Sequence, residues 1–142
     1  VAGTKLADLI GETGFDVHDY LDREALIPVN GGLQAQGDLL IIPTQMVPGE
    51  INVRVGATWV DVPAAGVELL RGTAMGNAHT LLGGGRWTTD VSDRRDLALG
   101  VFESDVTVWI GHVEHGYLGV APGRYVVRRQ REQSDEIRLV QD

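Results

Sequence analysis

Three of the four histidines, His79, His112 and His115, are the side chains of this 142-residue chain best suited to chemistry. Three imidazoles that leave a coordination position open suit zinc or iron(II), and Glu114 can add a carboxylate. The spacing sets a condition. Three residues is an odd step along a strand, so His112 and His115 point to opposite faces of an extended chain. They converge only if the chain turns between Val113 and Gly116, where a glycine permits a turn. The alternative is a set of ordinary hydrogen-bonded or exposed histidines.

Other chemistries find less support. There is no cysteine, which removes thiolate catalysis, disulfides and cysteine-based zinc sites together. Ser92, Ser104 and Ser134 lie in no nucleophile-elbow context. The glycines at 83–85 lack the Gly-Lys-Ser/Thr ending and following helix of a phosphate loop, and read as a turn or bulge. Asp93, Asp96, Glu103 and Asp105 match no calcium-loop spacing and read as a solvated loop.

The elements that must position these residues are mostly short strands. Leu39-Leu40-Ile41-Ile42-Pro43 is apolar on both faces and reads as a central strand. Ile51–Val55, Thr58–Val62, Val67–Arg71, His79–Leu82, Arg86–Thr89, Leu97–Phe102 and Val106–His112 follow, with Gly and Pro between them. Ala121-Pro122-Gly123-Arg124 reads as a turn. It leads into a strand from Tyr125 through Arg131 that is expected to pair antiparallel with Val106–His112, and Ile137–Val140 forms a last short strand. The expected fold is all-β: a sandwich or small barrel, jelly-roll or cupin-like, of nine to eleven short strands.

Residues 1–30 read differently, as an arm of short helices before a β domain at 31–142. Thr4 caps a helix over Lys5–Gly11, with Leu6, Leu9 and Ile10 on one side. Asp16 starts a second helical pattern through Leu26, with Val17, Tyr20 and Leu21 as its stripe, and Pro28 closes it. Two short helices need a surface, on their own domain or a neighbour's.

Charge is uneven. The net value is −8, which argues against nonspecific nucleic-acid binding. The arm is acidic and the C-terminal stretch is rich in arginine, with Arg128, Arg129 and Arg131 on one expected edge strand. That row either blocks unwanted strand addition or docks a carboxylate-rich partner. No apolar run approaches a membrane span, and no secretory leader pattern opens the chain. Trp59, Trp87 and Trp109 are expected core or interface anchors.

Three stretches together carry a resemblance: Gln36-Gly37-Asp38-Leu39-Leu40-Ile41-Ile42-Pro43; Gly76-Asn77-Ala78-His79; and His112-Val113-Glu114-His115 with Pro122-Gly123-Arg124-Tyr125-Val126-Val127-Arg128-Arg129-Gln130-Arg131-Glu132. Over residues 34–132 the chain resembles a family of small β-rich proteins of actinobacteria and their phages. Eleven arginines against the single Lys5 fit such a high-GC source. The resemblance supplies no reaction. Its histidine pattern implies a cupin-like metal site, and Asn77 stands where that pattern has a histidine.

Two functions are therefore expected. The first is a structural virion protein, a phage capsid decoration or minor capsid protein on the capsid exterior (otherwise a cytoplasmic product). It would be a homo-oligomer without a cofactor, membrane or direct nucleic-acid contact. It would meet the major capsid protein and sister subunits through Leu6, Tyr20, Leu21 and the three arginines. The second is a cupin-like metal-binding protein or metalloenzyme holding zinc or iron on His79, His112 and His115.

Overall fold

The computed structural model describes residues 3–71 and 77–129. One helix, α1 (Leu6–Thr13), precedes thirteen strands among the described residues: β1 (Val29–Asn30), β2 (Gln34–Gln36), β3 (Leu39–Pro43), β4 (Ile51–Val53), β5 (Val60–Asp61), β6 (Val67–Arg71), β7 (Ala78–Leu82), β8 (Arg86–Thr88), β9 (Val91–Asp93), β10 (Ala98–Ser104), β11 (Val108–His112), β12 (Gly116–Val120) and β13 (Gly123–Arg129). A five-stranded sheet runs β1-β12-β11-β7-β6, a six-stranded sheet β2-β3-β13-β10-β8-β5, and β4 pairs with β9 alone. The two large sheets share one core. Leu81, Val108, Ile110 and Val120 come from the first, and Leu39, Ile41, Phe102, Tyr125 and Val127 from the second. The fold is an all-β sandwich of open sheets, and neither large sheet closes into a barrel.

Three expectations about the elements are corrected. The strand after Pro122-Gly123 does not pair with β11. It lies in the other sheet, between β3 and β10, while β11 pairs with β12 in a tight hairpin. Gly116-Tyr117-Leu118-Gly119-Val120 shows no clean alternation, so its strand was hidden in the sequence. The charged stretch after Asp90 contains β9, which pairs with β4. The second helix of the arm does not form. The Arg23 guanidinium donates to the carbonyls of Val17, His18 and Leu21, which a helix would use internally, and the His18 amide donates to the Val113 carbonyl.

The N-terminal segment packs on its own domain. Leu6, Leu9 and Val17 are buried against Leu82 and Tyr117, with Phe15 and Leu21 alongside. The Tyr117 hydroxyl donates to the Phe15 carbonyl at 2.6 Å. Eight helical residues are too few to persist alone, so this burial holds α1 in place. Among the described residues no helix is long and apolar enough to cross a membrane. The predicted strand at Ile137–Val140 lies outside the described residues.

Candidate functional site

The three histidines meet at one end of the sandwich. His79 lies on β7 and His112 ends β11, in neighbouring strands. The chain then turns through Val113, Glu114 and His115 and starts β12 at Gly116, whose φ is 82° and whose register partner is His112. This is the turn the odd spacing requires. The His112 ring centroid sits 4.5 Å from that of His79 and 4.5 Å from that of His115. The fourth histidine, His18, stacks on Tyr20 instead.

The second sheet supplies the other wall. Gln36 ends β2 and Asp38 follows Gly37 in the tight turn to β3. Gly37 has a φ of 58°. A β-carbon there would stand 3.1 Å from His115 Nε2 and 3.3 Å from His79 Cε1, so only glycine lets this turn approach both rings.

Hydrogen bonding fixes the state of each ring. The Gln36 side-chain amide donates to the carbonyls of Ile110 (3.0 Å) and Gly116 (3.3 Å). The opposite flip would press its oxygen against those carbonyl oxygens. Its Oε1 therefore faces His79 Nδ1 at 2.8 Å and accepts a hydrogen bond from the protonated Nδ1. In neutral His79 the lone pair then lies on Nε2. That nitrogen faces Asp38 Oδ1 at 3.3 Å, longer than a charge-assisted bond of about 2.8 Å.

His112 is arranged the other way. Its Nδ1 accepts from the amides of Glu114 (3.1 Å) and His115 (3.2 Å), and the Asn77 backbone also bonds the ring. Its proton lies on Nε2, so neither nitrogen is left for a metal. The ring's role here is to hold the turn that carries Glu114 and His115.

Electrostatics agree with two neutral rings. Burial lowers the His112 pKa, helped by His79 and His115 and opposed by Glu114, to about 4. Burial also lowers the pKa of His79, and His115 adds to this while Asp38 opposes it. At neutral pH the site sets a nitrogen lone pair against a carboxylate oxygen. Glu114 and His115 are exposed, and the Asn77 amide donates to Glu114 Oε1 at 3.3 Å. The N-terminal segment braces the turn, with the Tyr20 hydroxyl donating to the Glu114 carbonyl at 2.7 Å.

The residues expected to meet a partner fare differently. Arg128 is 3 % exposed, on an interior strand rather than an edge. Its guanidinium holds Asp93 at 2.7 and 2.9 Å and Glu50 at 3.0 Å, so it cannot reach a partner. Leu6 is buried in its own domain, and Leu21 packs against the same cluster. Tyr20 remains on the surface, as does Arg129. Arg131 lies outside the described residues.

Gln36 and Asp38 were not anticipated as site residues. The signal available was two polar side chains flanking a glycine just before an apolar strand. Among the described residues, no group of three or more His, Cys, Asp or Glu is placed so that it could hold a metal ion. What the structure provides is the His79–Asp38 pair, with His115 across Gly37.

A sequence-family model for a domain of unknown function, DUF8820, matches residues 35–130. The chain belongs to this family. The DUF8820 region contains every residue of the cluster, from Gln36 to His115, and excludes α1 and the brace at Tyr20. No curated protein and no solved structure matches the chain.

Proposed function

We propose that this protein is a metal-binding β-sandwich protein whose site is built on the pair His79 Nε2 and Asp38 Oδ1, with His115 drawn in as a further ligand when the metal binds, since among the described residues no three such side chains already stand in ligating positions. The observation that carries this reading is the His79–Asp38 pair. His79 is buried while the Asp38 side chain is 38 % exposed, and a cation between the imidazole lone pair and the carboxylate would relieve their repulsion, as a proton or water otherwise would. Their 3.3 Å separation is also about the edge of a tetrahedron with metal–ligand bonds near 2.0–2.1 Å. A set of imidazole nitrogens and a carboxylate suits zinc or iron(II) better than magnesium or calcium. His112 leaves the ligand set and becomes its support.

The capsid reading draws less from the molecule. Arg128 and Leu6, two of its anchors, are held inside the fold. The test is native mass spectrometry of untagged protein after zinc reconstitution, beside His79→Ala and His115→Ala. One zinc per wild-type chain, lost in His79→Ala and weakened in His115→Ala, is expected. A metal-free large assembly in all three would overturn this reading in favour of the shell protein.

A further inference from the structure

We propose that Gln36 is the positioning residue of this site, setting both which nitrogen His79 presents and where the His115 turn stands. This rests on the metal-binding reading for its consequence, but its structural part is independent. Gln36 is 4 % exposed, and all of its polar contacts point into the cluster.

The carboxamide joins three segments. Its oxygen accepts a hydrogen bond from His79 Nδ1–H on β7. Its nitrogen donates to Ile110 near the end of β11 and to Gly116 at the start of β12, the two strands flanking the turn of His115. One planar group therefore ties the His79 tautomer to the position of the hairpin. Both links are needed for a common site. A His79 ring protonated on Nε2 would offer Asp38 a hydrogen bond and no lone pair to a metal. A hairpin displaced from β2 would carry His115 away from Gly37.

Few other residue types satisfy this geometry. Glutamate retains the acceptor but loses both donors and places a charge in a buried position. Leucine or methionine fills the space and loses all three bonds. Carboxylate and amide partners behind a ligating histidine commonly change metal affinity by about 10–100-fold, and the same range is expected here.

The experiment uses the full chain, stripped with chelator and labelled with nitrogen-15. Long-range proton–nitrogen spectra report which His79 nitrogen carries the proton. In the wild type Nδ1 is expected to be protonated. In Gln36→Met the Nε2–H form should appear, and zinc affinity measured by calorimetry should fall about 10–100-fold. A wild-type His79 protonated on Nε2 would overturn the proposal, and that measurement needs no substitution that might misfold. A Gln36→Met protein that keeps the Nδ1–H form and its zinc affinity would overturn it too. If wild-type His79 shows Nδ1–H but no zinc binds, the metal-binding reading fails while the tautomer assignment stands.

Discussion

Asp93 and Asp38 are both carboxylates set against a buried nitrogen base, and the two pairs close in different ways. Asp93 accepts two bonds from the Arg128 guanidinium at 2.7 and 2.9 Å and further bonds from the Arg95 and Leu97 amides. Glu50 takes the remaining reach of Arg128. Every charge there has its opposite, and the network joins β9 and the residue just before β4 to β13. Asp38 instead meets His79 Nε2 at 3.3 Å, on a ring whose other nitrogen already uses its N–H in a hydrogen bond to Gln36. One region is closed by opposite charges within the chain, and on the metal-binding reading proposed above the other is closed by a cation.

The comparison breaks most visibly at Arg128. Arg128→Met strands the buried Asp93 carboxylate and is expected to cost about 3 kcal/mol in urea unfolding, with zinc binding retained. The acid response should change with it. Burial pushes the Asp93 pKa up, but the Arg128 guanidinium and the neighbouring amides outweigh it and hold the folded value below the usual carboxylate range. Glu50 is lowered too, chiefly by Arg128. Groups with depressed folded pKa values stabilise the protein above their unfolded pKa, and this is lost as pH falls through the folded value. The wild type should therefore lose stability as pH drops below the ordinary carboxylate range, and Arg128→Met should show less of that loss.

Asp38→Asn is expected to act in the opposite direction. An asparagine amide can donate to the His79 lone pair, so the zinc-free variant should gain about 1 kcal/mol. Tyr20→Phe removes the exposed brace on the Glu114 carbonyl and should cost about 0.5 kcal/mol or less. It sharpens the comparison by asking whether support from outside the DUF8820 region matters to zinc affinity. A small drop in affinity with a melting temperature lowered by no more than about 1–2 °C is the expected result.

Much of this was readable in the residues, for identifiable reasons. The apolar run at Leu39–Pro43 and the alternation that begins at Ile51 predicted strands because burial on a sheet imposes those patterns directly. The convergence of His112 and His115 was legible as a condition, since strand geometry demands a turn that Gly116 permits. Strand partners were not legible. Val126 and Val127 are as apolar as a β11 partner would be, and nothing local says that their strand crosses to the other sheet. Arg128 misled because a charged side chain in a strand usually marks an edge. Its burial depends on Asp93 and Glu50, 35 and 78 residues away. The second helix failed for a related reason, because Arg23 captured its carbonyls through side-chain geometry that helical periodicity does not encode. Asp38 was hidden in a turn whose partner ring lies 41 residues further on.

The most direct test of the metal edge is a thermal melt of chelator-stripped wild type and Asp38→Asn, each with and without zinc. Without zinc the variant should melt about 3 °C higher, as expected for about 1 kcal/mol in a domain of this size. With zinc the wild type should rise and the variant should stay where it was, because only a ligand held by the folded state shifts the midpoint. A variant that melts lower than wild type without zinc, with zinc moving neither protein, would mean that Asp38 and His79 form an ordinary ion pair.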